Sequence, residues 1–257
     1  MPTPSETTRA ERLPLIGLAA VIAAAALLYL PHLRDAIGGF QHTNEGFYGL
    51  LARDYAHGPL LAPWLHPLES NNPPLYPWVQ ALLVRAGADP VVAGRAISLL
   101  ATLLCAALVF ALCARLYDRR TGLVAAAVFV FLPGVALVGR NAQTDVPVLA
   151  LQLAAVTVYV IAAERTGRRS AALLGALAGA LMGAAALTKL SALIALPALA
   201  LWQVWRTRGL RWLAEPATLG ALAATALVGG TWYGYRAATA AEFLTAQSRL
   251  IGLGNLD

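Results

Sequence analysis

The chain alternates long apolar runs with short polar ones. Runs rich in Ala, Leu and Val occupy about 13–30, 90–114, 121–138, 146–163, 171–187, 190–205 and 217–235, each bounded by charges, Gly or Pro. Runs of roughly 17–25 apolar residues match the thickness of a bilayer's hydrocarbon core when coiled as α-helices. The predicted fold class is therefore all-α, a polytopic transmembrane helical bundle of about seven spans, forming a single domain over 1–257. The stretch 170–205 would reach about 54 Å as one helix. It is split at Lys189 into two spans joined by a tight hairpin.

Composition agrees with a lipid solvent. Of the 257 residues, 59% are hydrophobic and 12% charged, against about 25% charged in soluble domains. The net charge of +6 suits nucleic-acid binding in a soluble chain, but here the basic residues cluster in short segments between apolar runs, which sets orientation instead. No nucleic-acid partner is expected. With the N-terminus inside, eleven basic residues (Arg9, Arg12, Arg115, Arg119, Arg120, Arg165, Arg168, Arg169, Arg206, Arg208, Arg211) fall in the short inner segments. Eight (Arg34, Arg53, Arg85, Arg95, Arg140, Lys189, Arg236, Arg249) are spread over the much longer outer ones. The positive-inside rule then predicts a cytoplasmic N-terminus, with the chemistry facing outward. The first run resembles a secretory signal, but Ala23–Ala26 lie inside it and Leu27–Leu30 follow, so it is read as an uncleaved first helix. Cys105 and Cys113 share one apolar run and are read as small buried hydrophobes.

The outer loop 31–89 differs from its surroundings. It holds all four histidines (His32, His42, His57, His66) and the acids Asp35, Glu45, Asp54, Glu69 and Asp89. Two interfacial helices are predicted within it. One starts at Thr43 or Asn44, runs to about Ala56 and carries Phe47, Leu50, Leu51 and Tyr55 near one face; the other runs from Leu75 to Ala86 with Tyr76 and Trp78 at headgroup depth. Glu45 reads either as a first-turn acid complementing the helix dipole or as a carboxylate at the mouth of a cavity, placed to take a proton from an attacking hydroxyl. The histidines with Glu45, Asp54 and Glu69 match no metal-ligand spacing, so a divalent metal is an open alternative with no ligands assigned and the cofactor is unknown.

Three further charges sit at the outer ends of apolar runs, where dragging each to the bilayer centre would cost about 2.5–3.5 kcal/mol. Asp145 suits a helix start, with Thr144 or Asp145 as cap and Pro147 in the first turn. Arg140 reads as a snorkelling anchor or a ligand contact. Lys189 is the chain's single lysine. Together Arg140, Lys189 and Arg236 can surround an anionic headgroup such as a lipid phosphate.

These elements occur in an order that resembles a known family. Thr43-Asn44-Glu45-Gly46-Phe47-Tyr48, Asn72-Pro73-Pro74-Leu75-Tyr76-Pro77-Trp78, the segment Arg95–Leu100, the segment Arg140–Pro147 and Leu187-Thr188-Lys189 are similar to GT-C membrane glycosyltransferases. The branch concerned is the bacterial set related to dolichyl-phosphate-mannose protein mannosyltransferases and the lipid A aminoarabinose transferase. The match continues to Trp232-Tyr233 and Glu242-Phe243. The resemblance implies an inverting transferase that moves a sugar from a polyprenyl phosphate to a lipid, glycan or protein acceptor. It gives the base role to Glu45, with Asp145 as helper and with Lys189, Arg140 and Arg236 around the donor phosphate. Two positions depart from the pattern: the usual acidic pair is Asn44-Glu45 here, and Asn72 stands where relatives often carry a basic residue or His. Relatives continue with further spans, so the resemblance implies a C-terminally incomplete chain. Two other functions fit the same hydrophobic pattern. A transporter or lipid flippase uses outer acids and cations as coupling sites, although no internal repeat is visible. A noncatalytic assembly subunit would use the long loop to dock a partner.

Overall fold

A computed structural model describes residues 4–38, 42–65 and 72–239. His66, Glu69, Glu242, Phe243 and Arg249 lie outside the described residues. Every regular element among those described is helical. Helix α1 (Pro4–Tyr29) continues as a 3₁₀ turn over Leu30–Arg34; α2 (His42–His57), α3 (Ala62–Leu65) and α4 (Leu75–Arg85) follow in the loop; α5 covers Pro90–Leu116. Then come α6 (Arg119–Phe131), α7 (Pro133–Gly139), α8 (Asp145–Ala163), α9 (Arg168–Ala186) and α10 (Ala195–Thr207). The last run is α11 (Pro216–Thr225), a π turn over Ala226–Gly230, and α12 (Thr231–Thr239).

Five of these helices are long and apolar enough to cross a bilayer: Leu13–Arg34, Pro90–Leu116, Asp145–Ala163, Arg168–Ala186 and Leu190–Thr207. The pair α6–α7, bent by 63°, makes a sixth if it is counted as one span. The expected count of about seven is not reached on this measure, for two physical reasons. The predicted span 121–138 is broken where Pro133, which has no N–H to donate, starts a new helix. The predicted span 217–235 winds without a break through α11, the π turn and α12, but no single α segment in it reaches 18 residues. Helix starts follow local chemistry. Asp89 accepts hydrogen bonds from the Val91 and Val92 amides ahead of Pro90, and Asp118 does the same for Arg120 and Thr121. The Asp118 carboxyl is accordingly held below its usual range, first by the Thr121 amide.

The helices pack through small residues. Gly175, Gly179 and Gly183 recur every fourth position on α9, and a Cβ at Gly179 would stand 2.0 Å from the Ala221 carbonyl oxygen of α11. Such spacing lets two backbones approach in lipid, where no hydrophobic effect drives helices together. Tyr29, near the end of α1, donates to the Val130 carbonyl at 3.0 Å and ties the first helix to α6. Cys105 is fully buried as expected, while Cys113 is only partly so. Helices α2 and α4 pack on each other and on the start of α5. Leu51 and Tyr55 are buried there, but Leu50 is exposed.

Candidate active site

One end of the bundle gathers the polar residues. Glu45, in the first turn of α2, is 1% exposed and Arg95, inside α5, is 3% exposed. They form a two-pronged ion pair: Arg95 Nε donates to Glu45 Oε1 and Arg95 Nη2 to Glu45 Oε2, each at 2.7 Å. The remaining Arg95 nitrogen donates to the carbonyls of His32 at 3.1 Å and Asp35 at 2.6 Å, which anchors the end of the first span. Glu45 Oε1 also accepts the Ala142 amide at 2.9 Å. Three N–H donors thus reach the Glu45 carboxylate, which is shut off from solvent.

The Ala142 contact matters because it fixes the segment between α7 and α8. Along this segment Ser98 donates to the Gln143 carbonyl, and Tyr48 of α2 lies beside Thr144 and Asp145. Asp145 Oδ1 then accepts from Lys189 Nζ at 2.8 Å. Their side chains are 43% and 44% exposed, so this pair is open where the first one is sealed. Thr144 stands at the cap position of α8 but makes no side-chain capping bond, and Asp145 is directed to Lys189 instead. Lys189 sits, as expected, in the short turn after α9. That turn is held to the loop by the Leu75 amide, which donates to the Leu187 carbonyl at 3.0 Å.

Between the two pairs lie Tyr48 and Tyr76, ring centroids 5.1 Å apart. Burial pushes both hydroxyls above the ordinary tyrosine range. For Tyr48 the Thr144 hydroxyl opposes this and the Asp145 charge adds to it. For Tyr76 the neighbouring Tyr48 and the Glu45 charge add to a larger effect of burial. The Tyr76 hydroxyl lies near Ser98 without a well-formed hydrogen bond. Gln143, 1% exposed, finds no hydrogen-bond partner for its side chain among the described residues.

Arg140 lines a cavity of about 150 Å³ with Arg95, Asn141, His32 and Asp35. Arg236 is on α12, one turn beyond Trp232 and Tyr233, which donate to the carbonyls of Trp64 at 3.1 Å and Ala186 at 2.8 Å. An apolar groove of about 300 Å³ between α4, α5 and α8, lined by residues such as Val79, Leu100 and Leu104, has Tyr76, Pro147 and Thr188 on its wall. Pro147 and Thr188 are close in sequence to the open pair.

The sequence-expected residues thus separate into one member of a buried pair, Glu45, an open pair, Asp145 and Lys189, and two cations outside both pairs, Arg140 and Arg236. Arg95, Tyr48, Tyr76 and Gln143 were not among the candidates. Arg95 had a readable signal, since a charge in the second turn of an apolar helix demands a partner. Among the described residues no three His, Cys, Asp or Glu groups lie within reach of one metal ion. His32 is held by Asp35 at 2.6 Å and His57 by the Arg53 carbonyl at 2.8 Å. Among the described residues the donor set does not fit a divalent cation.

Residues 71–233, well over half of the chain, match the family model described as dolichyl-phosphate-mannose-protein mannosyltransferase. No curated protein and no solved structure gives a match.

Proposed function

The chain belongs to the dolichyl-phosphate-mannose-protein mannosyltransferase family, and from that premise we propose which groups act and on what. It is a multi-pass membrane glycosyltransferase of the mannosyltransferase type. The donor in our reading is a polyprenyl-phosphate-linked sugar, the acceptor a hydroxyl of a lipid, glycan or protein, and the outcome inversion at the anomeric carbon. The membrane is the bacterial inner membrane, with the site on its outer face.

The observation that carries this reading is the open Asp145–Lys189 pair beside an apolar groove. A polyprenyl chain lying in that groove would bring its phosphate to the turn bearing Lys189. The ammonium has three donors and spends one on Asp145, which leaves two for phosphate oxygens. As the C–O bond to phosphate breaks, charge builds on the leaving group and a nearby cation stabilises it. Asp145 Oδ2 accepts the proton of the incoming hydroxyl as the new glycosidic bond forms. Arg140, on the same tethered segment, supplies a second cation, and Arg236 a third from α12. Glu45, given the base role by resemblance, is better suited to hold the Ala142–Asp145 segment, because three N–H donors already occupy its oxygens.

Incubation of membranes carrying the full chain with a radiolabelled polyprenyl-phosphate sugar tests this. The expected result is label covalently transferred to an acceptor. Movement of intact labelled lipid across the bilayer without a new glycosidic bond would replace the transferase with a flippase.

A further inference from the structure

The opposite end of the bundle carries a second feature, independent of the transfer chemistry. Helix α10 stands apart from the bundle: among its residues only Gln203 is buried, and its span is 11% buried. It packs mainly on α8 and the 3₁₀ turns on either side rather than on α9 and α11. The space left is a cavity of about 340 Å³. Ala178, Gly179 and Ala221 line one wall, Leu199 the α10 side, and Tyr159 and Trp212 the end near the charged turn. The small side chains that let α9 and α11 touch also leave room between that pair and α10.

The polar end is asymmetrically furnished. Gln203 donates to the Tyr159 hydroxyl at 2.7 Å, which pairs with Thr218 at 2.8 Å. Arg206 is consumed by Glu215 at 2.5 Å, Gln203 at 2.6 Å and the Ala163 carbonyl at 3.1 Å. The Trp212 indole N–H is buried and finds no acceptor among the described residues. Arg208 and Arg211 are exposed beside it and form no ion pair among the described residues. Arg165, in the α8–α9 connection, and Arg168 and Arg169, in the first turn of α9, lie at the same end. An apolar slot, a buried indole donor without acceptor among the described residues, and exposed guanidinium groups beside it in sequence describe one amphiphile.

We propose that this cavity binds an anionic glycerophospholipid, one acyl chain between α10 and the α9–α11 pair, the headgroup phosphate against Arg208 and Arg211, and an ester or phosphate oxygen on the Trp212 N–H. Basic pockets between membrane helices recognise acidic headgroups in this way, and an occupied slot restores the contacts a void forfeits.

The test uses the purified full chain in mixed micelles with phosphatidylglycerol or phosphatidylcholine whose acyl chains carry bromine, which quenches nearby tryptophan. The Trp212 contribution is the difference between wild type and Trp212→Phe. Quenching should require roughly thirtyfold less phosphatidylglycerol than phosphatidylcholine, the combined effect of two basic side chains at a surface. Arg208→Gln with Arg211→Gln should erase that preference. Ala200→Phe, which fills the slot from α10, should abolish quenching by both while the thermal melt stays cooperative. Equal quenching by the two lipids in wild type overturns the proposal. So does quenching that survives Ala200→Phe, or quenching produced only by a brominated polyprenyl phosphate.

Discussion

Two ion pairs of similar length have opposite energetic characters. Glu45 and Arg95 are sealed from water, so removing either partner strands a buried charge, at about 3–5 kcal/mol. Glu45→Ala and Arg95→Ala should each lower stability by that amount, while the double variant should cost less than their sum, measured by thermal unfolding in detergent. Arg95→Lys should not restore the loss, because an ammonium cannot reproduce the two-pronged geometry. The Asp145–Lys189 pair is nearly half exposed, and exposed pairs contribute only about 0.2–1 kcal/mol. Lys189→Ala should therefore melt within about 1 kcal/mol of wild type. Tyr76 adds a pH dependence. Its folded-state hydroxyl keeps its proton above the value near 10 expected of the unfolded chain. Its share of stability is complete below about pH 10 and declines as pH rises through the folded value. Tyr76→Phe, which removes a hydroxyl lacking a well-formed bond, should be near neutral at pH 7 and should flatten the alkaline decline in stability. An unchanged decline would contradict this. At this scale the sequence showed where Glu45, Asp145 and Lys189 stand along the chain but not who pairs with whom. The Glu45–Arg95 partnership spans fifty residues, and no local spacing encodes it.

Elements were more legible than pairs. The apolar period and the Asp-Pro and Pro-Pro boundaries located α2, α4, α5, α8 and α9 within a few residues, because caps and prolines act locally. The bend at Leu132–Pro133 was missed since an apolar count is blind to direction. Yet that bend turns α7 so that Gly139 approaches Thr102 closely: a Cβ at Gly139 would meet Thr102 Oγ1 at 2.6 Å. It thereby delivers Arg140 to the site. The α9–α11 contact was likewise not read from its glycines, although a Cβ at Gly175 or Gly179 would meet a backbone carbonyl oxygen of α11 at 2.1 or 2.0 Å. Gly179→Ala places a methyl against the Ala221 carbonyl and should cost about 1–3 kcal/mol by overpacking. Gly134→Ala, where a Cβ meets nothing within 4 Å, should not destabilise and serves as the control in the same melts.

For the whole molecule, the organising fact is that five segments far apart in sequence converge at one end of the bundle. Glu45 grips Arg95 and the Ala142 amide; the Leu75 amide grips the turn that presents Lys189; Asp145 meets that lysine in the open. Everything buried in this arrangement holds, and the groups left exposed can react. The family match accounts for the class of chemistry, and the open pair is where our account locates it. The most direct test is sugar transfer from a radiolabelled polyprenyl-phosphate donor by membranes containing the full chain, comparing wild type with Asp145→Asn and Lys189→Ala at matched amounts of folded protein. We predict that Asp145→Asn slows transfer by about 10²–10⁴-fold, the range for loss of a positioned base, and that Lys189→Ala also slows it, with stability nearly intact in both. Transfer at the wild-type rate in both variants would contradict the assignment.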